Sequence, residues 1–118
     1  MDADHLARSP IKLGAVERRI VEDAIREVCL VRGYNLFALN VRTNHAHLVV
    51  NNGGKVERMM DSFKAYSTKA LRAANRIGED VKPWARHGST RYLWTEKHIQ
   101  DAVEYVVTGQ GGELPSFD

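Results

Sequence analysis

A chain of 118 residues, 43% of them hydrophobic, is long enough to bury one core and too short for two comfortable domains. Its formal charge is only +2 although its pI is near 8.8, which excludes nucleic-acid affinity through overall charge and leaves clustered cations as the only route. A lone cysteine, Cys29, excludes an internal disulfide and any multi-cysteine zinc site, and reads as a core thiol of a reducing cytoplasm.

The N-terminal stretch "MDADHLARSPIKLG" is polar, and no stretch approaches the roughly 18 apolar residues of a membrane helix. A soluble, unexported, cytoplasmic protein is expected. From Val16 to Arg32 the residues Val16, Ile20, Ala24, Val28 and Val31 recur at spacings of three and four, widened by Val21 and Ile25, and Gly33 stands as a C-cap. This predicts a first helix. "YNLFALNVRT" and "AHLVV" then read as two strands joined through the short polar "RTN". After the turn cluster "NNGGK", the residues Met60, Phe63, Ser67, Ala70, Leu71 and Ala74 trace a second amphipathic helix from Val56 to near Gly78, expected to be the longest element.

"KPWARHGSTRYLW" sets Trp84, Tyr92 and Trp94 around His87-Gly88-Ser89 and suits a short hairpin or an extended excursion. Thr95 reads as the N-cap of a last helix running to about Gly109. No internal repeat or low-complexity tract interrupts this order. Helix, strand, strand, helix, strand-like piece and helix imply an α+β fold of ferredoxin-like (RRM-like) layout: an antiparallel sheet with helices on one face plus a C-terminal helix.

The chemistry concentrates in "NHAHLVV". Successive side chains of a strand point to opposite faces, so His45 and His47 project together while Ala46, Leu48 and Val50 point the other way. Two neutral imidazoles a few ångström apart can share a cation if a third ligand arrives from elsewhere. On these residues alone, accident of composition and metal clamp weigh about equally. A histidine-triad nucleotide hydrolase needs a third alternating histidine, but position 49 is Val49, and no nearby residue has the customary spacing of a zinc hydrolase. On the last helix Ile99, Ala102, Val103 and Val106 make the apolar stripe, and Tyr105 lies roughly 110° from its centre on a flank shared with His98 and Asp101. A phenol ionises near pH 10 and is a poor nucleophile at neutral pH, so a reactive tyrosine needs a strongly electrophilic target such as a metal-polarised phosphodiester.

With these pieces the chain resembles the HUH-type single-tyrosine transposases of the insertion-sequence-200 kind and the REP-associated tyrosine transposases. Their signature is an Asn-His-hydrophobic-His-Leu strand followed about sixty residues later by a tyrosine on a C-terminal helix, matched here by "NHAHLVV" and Tyr105. "SFKAYSTKAL", "WARHGSTRYLW" and "AVEYVVTGQ" extend the resemblance over roughly residues 15–112. It implies Mg²⁺ or Mn²⁺ held by His45, His47 and a downstream amide. It also implies attack by Tyr105 on single-stranded or hairpin DNA, leaving a 5′-phosphotyrosine and a free 3′-OH that another 3′-OH later resolves. Imidazoles are somewhat soft for Mg²⁺, so Mn²⁺ should bind at least as well.

Clustered cations support the DNA side. Arg58, Lys69, Arg72 and Arg76 fall near one strip of the second helix with Lys55 and Lys64 flanking it, and Lys82, Arg86 and Arg91 interleave with the aromatics of the 82–94 segment. Lys64 matches the family's helix lysine and is expected nearest the active site. Two departures stand out. The family's third ligand commonly lies four residues after the tyrosine, where this chain has Gly109, so Gln110 is assigned instead. The family's first strand, which pairs with the histidine strand, is expected to be missing, because "PIKL" is too short and begins with a proline. A single transposase-like domain over residues 1–118, forming a homodimer near the bacterial nucleoid, is the leading expectation. A non-catalytic or domesticated DNA-binding derivative is the alternative, and a replication initiator or relaxase is a third reading disfavoured by chain length and motif order.

Overall fold

The N-terminal residues Asp2–Arg8 form a strand, β1, at the centre of the sheet. This corrects the expectation of a missing first strand. The computed structural model describes residues 2–9, 11–51, 54–85, 89–93 and 95–108, the side chains of 2–6, 8 and 89–91 excepted. The elements that follow are α1 (Ala15–Arg32), β2 (Asn35–Val41), β3 (His45–Asn51), α2 (Val56–Ala73), β4 (Ser89–Leu93) and α3 (Glu96–Thr108). The four strands form one sheet in the order β2-β3-β1-β4, antiparallel throughout. "DADHLAR" has almost none of the β-branched and aromatic residues that mark strands, so intrinsic preference gave no signal. Pairing on both sides, Ala7 opposite Ala46 on β3 and His5 opposite Thr90 on β4, makes the strand.

Residues 9–13 then tie this strand to the turn between β2 and β3. Ser9 donates its backbone N–H to the Asn44 carbonyl and Leu13 to that of Thr43, at 2.8 and 2.6 Å. Leu13 itself is buried and anchors this connection.

The first helix buries Val21, Ala24, Ile25, Val28 and Cys29. Val16 and Val31, expected in the stripe, are 52% and 65% exposed, so the buried face lies about one residue round from the sequence reading. Gly33 closes the helix at φ 72°, a left-handed position glycine takes without steric cost, with its N–H on the Cys29 carbonyl. The second helix is no longer than the first, 18 residues each, and stops before Gly78 because Asn75 turns left-handed at φ 56° and Arg76 N–H returns to the Leu71 carbonyl at 2.9 Å.

The two long helices pack on each other and bury Val21, Ile25, Val28, Met59, Phe63 and Leu71 against Ala46, Leu48 and Val50 of the sheet. Full burial of each of the larger aliphatic side chains stabilises by about 1.5–3 kcal/mol relative to exposure. The opposite sheet face is not open. There α3 lays Ala102 and Val106 on Ala38, Val49 and Leu93, forming a second, smaller core. The helices therefore cover both faces: α1 and α2 on one, α3 on the other. β4 joins the sheet by pairing with β1.

Candidate active site and cation groove

Alternation along β3 sends Ala46, Leu48 and Val50 into the larger core and His45, His47 and Val49 toward α3. His47 is 4% exposed and His45 half-buried. The α3 helix begins where expected: Thr95 Oγ1 accepts the His98 N–H at 3.1 Å, satisfying one of the donors that a helix start leaves orphaned. It then runs along β3 and delivers Tyr105 to His47. The two rings meet edge to face, centroids 5.3 Å apart and planes at 73°.

Two further contacts fix this end of the site. His45 Nδ1 lies 2.9 Å from Asn44 Oδ1. In the tautomer that carries its proton on Nδ1, the ring donates to this oxygen and leaves the Nε2 lone pair for a metal ion. Asn40, directly opposite His47 in the register, donates its side-chain amide to the Val106 carbonyl at 2.9 Å. Sequence reading passed over Asn40: β2 also carries Asn35 and Phe37 among its aliphatic residues, and nothing local distinguishes the residue that bonds across the fold.

His45 and His47 offer nitrogen donors from one strand face, and that donor chemistry fits a divalent transition-metal ion better than Mg²⁺. Among the described residues no group of three His, Cys, Asp or Glu side chains gathers. The assigned third ligand, Gln110, lies outside the described residues.

The expected cation strip divides. Lys64, Lys69 and Arg72 of α2 join Lys82 around a groove of about 760 Å³ that also takes in Asp61 and Glu79. Lys64 is not near the histidines: it stands on α2, the helix over the other sheet face, and its ammonium donates to the Ala85 carbonyl at 2.8 Å. Arg72 Nη2 donates to the Val81 carbonyl at 3.1 Å. Arg76 is held by Glu17 of α1 at 2.9 Å, an ion pair that lowers the Glu17 carboxyl below its usual range, chiefly through the hydrogen bond. Lys55 and Arg58 are exposed at the start of α2 and line no part of the groove. Arg86 falls outside the described residues, and of Arg91 only the backbone is described, opposite Asp4.

Trp84, one of the aromatics interleaved with these cations, presents no exposed ring for stacking. It is buried, and its indole N–H donates to Ser67 Oγ at 2.8 Å while that hydroxyl donates to the Phe63 carbonyl at 2.7 Å. Tyr92 does remain 44% exposed.

Residues 7–107 match the family described as transposase IS200 like. The chain belongs to the IS200-like transposase family. Its fold is similar to that of a REP-associated tyrosine transposase solved bound to a REP hairpin, with a TM-score of 0.71 at 15% identity over 92% of this chain. The chain spans 65% of that transposase's length. It is also similar to a candidate transposase of Deinococcus radiodurans R1, with a TM-score of 0.67 at 15% identity, covering 93% of this chain and 90% of that one. Among curated proteins no sequence match is found. No described helix is long and apolar enough to cross a membrane.

Proposed function

We propose that this IS200-like transposase cuts and rejoins single-stranded or hairpin DNA through a 5′-phosphotyrosine formed on Tyr105. The observation that carries the reading is the contact between Tyr105 and His47, which brings a phenol from the C-terminal helix onto the strand face that holds both imidazoles. A nucleophile and two metal-ligand side chains on one face are the parts this chemistry requires. The strand order β2-β3-β1-β4, with two crossover helices on one face, supports a ferredoxin-like reading of the sheet.

In the proposed reaction the Tyr105 oxygen attacks the scissile phosphorus, the bond from phosphorus to the 3′ oxygen breaks, and the strand leaves with a free 3′-OH. The tyrosyl ester conserves the phosphodiester energy, so a second 3′-OH rejoins the strand by the reverse attack without ATP. A divalent cation at His45, His47 and Gln110, Mn²⁺ or Mg²⁺, would supply charge stabilisation at the phosphate when bound. His45 would contribute its Nε2 lone pair in the tautomer that donates from Nδ1 to Asn44. His47, held in the small core, contributes a donor whose direction packing sets.

The groove lined by Lys64, Lys69, Arg72 and Lys82 is proposed to hold DNA phosphates, with Lys55, Arg58, Arg76, Arg86 and Arg91 as outlying cations. A homodimer, cytoplasmic and close to the nucleoid, completes the proposal. The test is a single-strand cleavage assay with Mn²⁺. The unsubstituted protein is expected to form a covalent protein-DNA adduct and Tyr105→Phe none. An adduct that persists in Tyr105→Phe excludes Tyr105 as the nucleophile. DNA binding with no adduct at all would favour the alternative, a DNA-binding protein that keeps the scaffold without the reaction.

A further inference from the structure

A helix leaves its last four carbonyls without intrahelical partners, and in α3 those carbonyls belong to the turn that carries Tyr105. Thr108 Oγ1 donates to the Glu104 carbonyl at 2.8 Å and reaches that of Tyr105 at 3.3 Å, contacts within the helix that say nothing about where it sits. The Val106 carbonyl is different. It accepts from Asn40 Nδ2 at 2.9 Å, across 66 residues of sequence. Asn40 belongs to β2 and stands directly opposite His47 on β3. The residue that grips the helix and the residue that meets the tyrosine ring therefore share one row of the sheet.

Alongside this bond, α3 packs through an apolar patch in which Ala102 and Val106, flanked by Ile99, Val103 and Tyr105, rest on Ala38, Val49 and Leu93. Such packing is non-directional, and small side chains permit a helix to roll or slide with little loss of contact. A hydrogen bond to a main-chain carbonyl has a required direction and length, so it selects one rotation of the helix. We propose that Asn40 is a positioning residue for Tyr105, clamping the last turn of α3 in the rotation that presents the phenol to the histidine face. This rests on the reading of Tyr105 as nucleophile for its consequence in the reaction. The docking itself does not depend on that reading.

The test compares Asn40→Leu, which keeps the branched shape and removes the donor, Asn40→Asp, which puts an acceptor against the carbonyl, and Asn40→Gln, which keeps an amide. In the full chain, without DNA or metal, the nuclear Overhauser contact between the rings of Tyr105 and His47 is expected to be strong in the unsubstituted protein. It should be lost in Leu and Asp and partly retained in Gln. With Mn²⁺ and saturating oligonucleotide, the rate of adduct formation should fall on the order of 10-fold to 100-fold in Leu and Asp, with DNA affinity changed less than about twofold, and recover part-way in Gln. If Leu fails to fold, Asp and Gln carry the comparison. A full-strength ring contact with an unchanged adduct rate in the variants lacking the donor overturns the proposal, as does a loss of DNA affinity that accounts for the whole effect. Absence of any adduct in the unsubstituted protein would fell the nucleophile reading and leave the ring contact to decide the clamp.

Discussion

Tyr105 and His47 touch edge to face, 5.3 Å between ring centroids, although they come from a helix and a strand separated by α2 and β4 in the chain. The ring carbons supply the packing, and in the proposed reaction the hydroxyl supplies the chemistry. Tyr105→Phe should therefore hold stability within about 1 kcal/mol in urea unfolding while abolishing adduct formation. A large loss of stability in the Phe variant would show that the hydroxyl is a structural partner instead.

The two histidines should separate in the same way. His47 is 4% exposed within the small core, whereas His45 is half-buried at the start of the strand. Truncating a buried ring removes contacts on every side, so His47→Ala is expected to cost about 1–3 kcal/mol, and His45→Ala less than about 1 kcal/mol. Both should suppress Mn²⁺-dependent cleavage. A double variant that loses only activity, with stability untouched, would contradict the placement of His47 in the core.

The histidine face was readable from the sequence because strand alternation is a strict period of two, and Thr95 was readable because a capping hydroxyl has a fixed offset. The central strand was not. Asp2–Arg8 is made by pairing on both edges, a long-range effect that a run such as "DADHLAR" does not advertise. Periodicity likewise finds the apolar stripe of α3 but not the sheet face that receives it, so the enclosure of His47 was invisible. Side-chain bonds across the fold, Asn40 to Val106 and Trp84 to Ser67, leave no local trace either.

Ser67 sits wholly buried between the Trp84 indole and the Phe63 carbonyl. Ser67→Ala leaves the buried indole N–H without its acceptor, which should cost about 1–3 kcal/mol in denaturant unfolding. Trp84→Phe in the Ser67→Ala background should cost less than the sum of the two separate changes, since both partners of the bond are then gone. Strict additivity would mean the 2.8 Å contact carries no stability.

Burial pushes the Cys29 thiol from 9.0 up to about 11. In the unfolded chain the thiol ionises from about pH 9 upward, while the folded protein keeps its proton until near 11. The folded state thus binds more protons in that window, and stability must fall as pH rises through it, by up to about 2 kcal/mol from this group. Cys29→Ala should flatten that part of the pH profile. A slope unchanged by the substitution would assign the loss to other groups.

The groove makes a prediction about salt. Each phosphate neutralised by a lysine or arginine releases condensed counterion, so the logarithm of the DNA association constant falls with the logarithm of salt concentration by about 0.7 per contact on single strands and about 0.9 on duplex. Lys69 and Lys82 are exposed residues of the groove wall, so Lys69→Gln and Lys82→Gln test contact with little structural cost. Each is expected to lower the slope by roughly one contact's worth and to weaken binding evenly across DNA sequences. Arg76→Gln serves as the comparison, because Glu17 holds that guanidinium at 2.9 Å and it should alter the slope less. Equal slopes for all three variants and the unsubstituted protein would place the DNA backbone somewhere other than this groove.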